Sequence, residues 1–146
     1  MLLYGCSMIA NRSVPHATVI PELAYADVNQ AADWLRAVFG FTVRLRIGDH
    51  RVQLVYGDGA VIATELNSAA SGPDTAHALL VRVDDANRHH EHAVRHGARV
   101  LRPPQDYPYG ERQYTVEDLG GHVWTFSESI ADVDPVSWGG TPVDLS

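Results

Sequence analysis

This chain repeats itself. Asp27 to Gly40 carries apolar residues at Ala31, Trp34, Leu35, Val38 and Phe39, the spacing of an amphipathic helix, with Asp27 placed to cap its start and Gly40 its end. Asp84 to Gly97 repeats the pattern over the same interval, with Ala86, His90, Ala93 and Val94 on the inner stripe. A β-prone run precedes each helix, at 18–26 and 77–83. Three more follow each one, at 42–47, 51–56 and 60–66, then at 99–101, 112–116 and 122–127. Both halves therefore read βαβββ, which predicts an α+β fold of two tandem modules. Their curved mixed sheets would each carry a helix on one face and meet around a cleft with the other.

The halves are offset by 57 residues at the helix (Asp27 to Asp84) and by 62 at the last strand (Gly59 to Gly121). The second half thus holds about five extra residues, assigned to a proline-rich loop at 103–110. The expected organisation is an N-terminal extension (1–17), a first module (18–66), a linker (67–76), a second module (77–128) and a C-terminal tail (129–146). Met8 offers an alternative start within the extension.

A chain of 146 residues with 45% hydrophobic content can bury a core without a staple, and its single cysteine, Cys6, has no internal partner. The net charge is −7, and arginine supplies every positive charge. No clustered basic patch marks a nucleic-acid or anionic-membrane surface, and no apolar run approaches the roughly 18 residues of a membrane span. The expectation is a cytoplasmic protein with neither partner.

Several segments carry a family resemblance. They are Asp27 with Phe39-Gly-Phe41, His77 with Val83-Asp84-Asp85, His96-Gly97-Ala98, and Val116-Glu-Asp-Leu-Gly-Gly-His-Val-Trp-Thr-Phe126. They resemble the vicinal oxygen chelate superfamily of glyoxalases, bleomycin-resistance proteins and extradiol dioxygenases. Tyr109-Gly-Glu-Arg-Gln-Tyr114 and Trp138-Gly139 look like a subgroup of small bacterial glyoxalase-like proteins. The resemblance implies the glyoxalase/bleomycin-resistance fold over about residues 18–128. It also implies, in metal-dependent members, one ligand from the first and one from the last strand of each half.

His77 matches such a position, but Ile20, Ala63 and Thr125 occupy the other three. One histidine among these residues does not make a divalent-metal shell. A displaced site of Glu22, Glu65 and His77 is the alternative, with both glutamates expected on the cleft face by strand periodicity. His77 and Glu65 could also work as an acid/base pair. Glu65 in an apolar strand should face water, an arginine or a ligand. His89, His92 and His96 share one helix face, read as solvated rather than zinc-binding, and His122 reads as a surface residue.

Without a metal, the nearest analogue within the resemblance is the bleomycin-resistance type, a homodimer holding a small organic ligand in grooves between subunits. Glu22, Glu65, His77, Tyr109, Arg112, Tyr114 and Thr125 are the ligand-binding candidates, and no cofactor is expected. Tyr107, Tyr109 and Tyr114 would supply rings at the cleft mouth. Arg112 would clamp a carboxylate or phosphate, or pair with Glu117 or Asp118. If Thr125 and Val123 face the cleft, Trp124 and Phe126 face the helix. The alternatives are a metal-dependent lyase, isomerase or dioxygenase with a divalent cation as cofactor, and an interaction protein whose cleft its own side chains fill.

Overall fold

A computed structural model describes residues 9–66 and 77–142, so the expected linker, residues 1–8 of the extension and the last four residues lie outside the described chain. The first module comprises β1 (Glu22–Tyr25), helix α1 (Val28–Trp34) running into a π-helical turn (Leu35–Phe39), β2 (Thr42–Ile47), β3 (Arg51–Tyr56) and β4 (Gly59–Glu65). The second comprises β5 (Leu79–Arg82), α2 (Ala86–Arg95), β6 (Arg99–Tyr107), β7 (Glu111–Glu117) and β8 (Val123–Ser129), followed by a 3₁₀ turn at Pro135–Trp138. Sheet order is β1-β4-β3-β2 in the first and β5-β8-β7-β6 in the second. In each, the first strand runs parallel to its neighbour and the other pairings are antiparallel. The duplicated βαβββ architecture is thus present in both halves.

The register between the copies differs from the sequence expectation by one residue at each end. Asp27 caps α1 by accepting from the Gln30 N–H, and Asp85, not Asp84, caps α2 by accepting from the Arg88 N–H. The helical offset is therefore 58 at the caps. It returns to 57 at the left-handed glycines Gly40 and Gly97, because the π-helical turn holds one more residue than α2 has. A second single-residue difference lies in the hairpins. Val55 faces Ala60 across a four-residue connection, whereas Glu117 faces Val123 across five. Ala63 therefore corresponds to Phe126 and Ile62 to Thr125.

One residue of slip moves a strand's side chains to the opposite face. Leu23, Val61 and Ala63 lie in the core, so Glu65 shares the helix-facing parity while Glu22, paired with Ile62, lies on the open side. The two glutamates do not share a face. Trp124 and Phe126 do face the helix, as Thr125 and Val123 on the open side require.

The segment expected as a proline loop extends strand β6 to Tyr107. Pro103 and Pro104 are accommodated because β6 is an edge strand, where a missing N–H breaks no inner ladder, and pairing with β7 slips between Arg102 and Gln105.

The helix-facing sides of both sheets close on one core. Phe39 is its hub, edge-on to Trp34, Trp124 and Phe126 at centroid distances of 4.9, 5.3 and 4.9 Å. On α2 the inner stripe is Ala86, His89 and Ala93, rather than one ending at Val94, which is 49% exposed. With the helical sides joined, the open faces of the two sheets lie on the outside of this shared core instead of packing on each other.

Candidate ligand-binding site

The open face of the second sheet is set by strict alternation along β7. Glu111, Gln113, Thr115 and Glu117 point one way, and Arg112, Tyr114 and Val116 the other. The open side is lined with polar groups already linked to one another. The Tyr109 hydroxyl donates to Gln113 Oε1 (3.2 Å), the Gln113 amide to Ser127 Oγ (3.0 Å), and the Ser127 hydroxyl to Glu111 Oε1 (2.6 Å). Hydrogen bonds from Ser127 and Ser129 hold the Glu111 carboxyl below its ordinary pKa, so it is ionised at neutral pH. The Thr115 and Thr125 hydroxyls lie 3.0 Å apart at the centre of the face.

Aromatic rings form one end. Tyr107 stacks on Tyr109 at 5.3 Å with 10° between planes, and Trp138 from the tail packs on Tyr109 at the same distance. Gly110 makes this corner. Its φ of +86° suits only glycine without strain, and its carbonyl accepts from the Ile130 N–H at 2.8 Å. At the opposite edge of the face, Leu80 pairs with Thr125 and is 65% exposed. Along this β5 edge lies a cavity of about 410 Å³ at the junction of the modules, walled by Val19, Phe41, Tyr56, Ala60, Leu80 and Trp124; Leu80 reaches it from the open side, while Phe41 and Trp124 belong to the helical side. Both its volume and its apolar walls fall within the range of small-molecule sites.

The candidates read from the sequence divide between the two sides. Thr125 and Tyr109 are on the open face. Tyr114 is buried in the core, where its hydroxyl meets His89, and burial raises its pKa. Arg112 also faces the helical side. It forms a bidentate pair with Asp106 at 2.7 and 3.1 Å, neither of the expected partners, and that hydrogen bond keeps the Asp106 carboxyl low. Glu22 is held by Arg51 at 2.7 Å. Glu65 is exposed at the end of β4 beside Tyr25, and His77 sits before β5 with its ring 6.5 Å from that of His122.

The centres of the first and last strands of each half present Glu22 and Ile62, then Leu80 and Thr125, on the open sides. One arginine-paired carboxylate, one hydroxyl and two aliphatic chains do not fit a divalent-metal shell. Among the described residues no three His, Cys, Asp or Glu side chains converge.

Three polar centres were not marked out by the sequence. Asp118, in the β7–β8 connection, is buried and accepts from the Tyr25 hydroxyl, the Trp124 indole and two backbone N–H groups. His122 beside it is buried rather than on the surface, its Nε2 against the Ala24 carbonyl. His89 stacks on Phe126 at 4.0 Å and meets the Phe39 carbonyl, and His92 meets the Ala37 carbonyl, so these two of the expected solvated histidines contact the first module while His96 is exposed. Burial lowers the His89 pKa. The third centre, Arg44 with Gln53, lies on the first sheet's open side. Asp118 and Gln53 carried a usable signal, each being a polar residue inside an apolar stretch.

Residues 13–126 match the Glyoxalase/Bleomycin resistance protein/Dioxygenase superfamily. The chain belongs to that superfamily. TioX from Micromonospora sp. ML1 is 37% identical and superposes with a TM-score of 0.65 over 75% of this chain and 96% of TioX. At 21% identity the antibiotic binding protein TnmS3 from Streptomyces sp. CB03234 shares the superfamily fold, with a TM-score of 0.65 over 80% and 98% of the two chains. So does a family enzyme from Burkholderia phytofirmans PsJN, at 16% identity and a TM-score of 0.66 over 75% and 96%. No curated protein matches the chain. Among the described residues no helix is long and apolar enough to cross a membrane.

Proposed function

We propose that this superfamily member binds a small organic ligand, of the antibiotic class, on the open face of its second sheet and in the adjoining cavity, without a stoichiometric metal. The observation that carries the reading is the Thr115–Thr125 pair on the open face, lying between an aromatic corner and the Leu80 edge that borders an apolar cavity. Hydroxyls and amides would orient the ligand, while Leu80, Phe41 and the tyrosines take its apolar surface. Glu111 adds a negative charge that favours a cationic or hydrogen-bond-donating ligand. That TnmS3 is an antibiotic binding protein supports the ligand class. The open face is also where a second copy would complete the groove, so the working form is taken as a homodimer in the cytoplasm.

The reading is tested by fluorescence. Trp34 and Trp124 are partly or fully buried, whereas Trp138 is 46% exposed and touches Tyr109. Titrating an antibiotic panel in chelator-treated buffer should change the Trp138 signal saturably, and the change should vanish in Trp138→Phe. Titration with Ni²⁺, Mn²⁺ and Zn²⁺ should show no tight binding. One metal per protomer, lost in His77→Ala, would overturn the metal-free reading.

A further inference from the structure

The open face of the first sheet is not bare. Gln53 and Ile62 lie on it and are nearly inaccessible, and the segment from Asn11 to Ala17 is tied across Gln53 as a strap whose Pro15 is buried. Its attachment is specific. Arg44 sits where β2 slips register against β3, between Val43 and Leu45, which frees its side chain from the ladder's alternation. One guanidinium nitrogen donates to Gln53 Oε1 (2.6 Å) and the other to the Arg12 carbonyl (2.9 Å). The Gln53 amide donates to the Ser13 carbonyl (2.8 Å). Arginine and glutamine thus form a two-pronged donor that grips two successive peptide carbonyls.

Nothing in this grip reads a side chain of the strap. Asn11, Arg12, Ser13, Val14 and His16 are all exposed. The strap adds no strand to the sheet, and its internal order is a turn in which Asn11 caps the Ser13 N–H. A segment with one buried side chain and few hydrogen bonds opens more readily than the sheet beneath it. The duplication adds a second argument. Gln53 paired with Ile62 stands where the second sheet has Thr115 paired with Thr125. Two equivalent half-sites are therefore present, one open and one filled from within.

We infer that Arg44 and Gln53 form a second binding site, for a peptide-like ligand presenting two successive amide carbonyls, and that the strap is its displaceable internal occupant. The inference builds on the reading that open sheet faces take ligands. It adds a chemical class and a competition, because ligand and strap use the same donors.

Trypsin provides the test on the full-length chain. The chain has no lysine, and Arg12 is its first cleavable residue, so cleavage after Arg12 gives a unique mass loss. In the wild type this cut should be slow. Arg44→Met with Gln53→Leu should accelerate it about tenfold, the scale expected for losing two hydrogen bonds. Gln53→Glu, which keeps its size and its bond to Arg44 but cannot donate to Ser13, should give a smaller acceleration. Thermal melts identify variants that fold, and a single folded variant of the two suffices.

The probe ligand is the blocked peptide acetyl-Asn-Ala-Ser-Val-Pro-amide, which mimics the strap and lacks a trypsin site. It is used at several millimolar because a tethered segment competes at an effective concentration on the order of millimolar. The probe should accelerate Arg12 cleavage saturably in the wild type and have no effect in the double variant, and equal succinate should have none. Unchanged cleavage in the folded variants, or no response to the peptide, overturns the inference. Quenching of Trp138 by a panel compound without any peptide-driven release of Arg12 would remove this site while leaving the second-sheet reading intact. The converse pattern would do the opposite.

Discussion

The Tyr25 hydroxyl donates a 2.7 Å hydrogen bond to Asp118, 93 residues further along the chain, and so joins the first strand of one module to the last hairpin of the other. The same Asp118 oxygen accepts from the Trp124 indole at 3.0 Å. Burial, then the Asp118 charge, raises the Tyr25 pKa, so the phenol remains a donor across the accessible pH range. Tyr25→Phe should cost about 1.5–3 kcal/mol, the range for a hydrogen bond to a charged group. Asp118→Ala strands three further donors and should cost more, about 3–5 kcal/mol. Urea denaturation of both variants checks the order, and a smaller cost for Asp118→Ala would refute it.

His89 makes stability depend on pH. Burial is the leading cause of its lowered pKa, the His92 charge adds to it, and the Phe39 carbonyl and Asp84 oppose it. A folded-state value below the unfolded one, about 6.5, means that the unfolded chain takes up the proton first. The stability that neutral His89 contributes is present above pH 6.5 and declines as pH falls below it. Denaturation midpoints from pH 7.5 to 5 should fall in the wild type and fall less in His89→Gln. Parallel curves would show that other groups carry the dependence.

Phe39 touches three aromatic residues and ends the π-helical turn. Phe39→Ala should therefore destabilise by about 3–5 kcal/mol, the usual range for emptying a buried aromatic site. The loss should appear as one cooperative transition, since the two modules share this core. Two separated unfolding steps in the wild type would show instead that the modules are thermodynamically independent.

Gly97 and Gly110 both have positive φ, yet their surroundings differ. A Cβ on Gly97 meets nothing within 4 Å, whereas one on Gly110 would lie 2.4 Å from the Ala131 carbonyl oxygen. Gly97→Ala should cost only the backbone penalty of about 1–2 kcal/mol. Gly110→Ala should cost more and also disturb Tyr109, weakening ligand quenching of Trp138. Equal melting-temperature losses in the two variants would contradict this.

The repeat was legible because helix length, capping aspartates and closing glycines are local signals. Trp124 and Phe126 followed from alternation once Thr125 was placed. What escaped were differences of a single residue. The π-helical turn and the longer β7–β8 connection each shift one copy against the other, and the second of these turned Glu65 to the helical side. Arg112 and Tyr114 were candidates on chemistry alone, although parity with core residue Val116 already set them on the helical side. The Pro103–Pro104 strand and the Arg44–Gln53 grip depend on which strand forms an edge and what lies over a face. Those are long-range facts that no local pattern encodes.

The π-helical turn also acts as a length buffer between the copies. By coiling one additional residue into the first helix, it lets the two copies fall out of numerical step without moving any strand from one side of its sheet to the other. Transplanting a side chain between half-sites therefore needs four conversions: 58 residues before the turn, 57 just after it, 62 from β3 to β7, and 63 on the last strand. A graft made with one constant offset would aim the new group into the core.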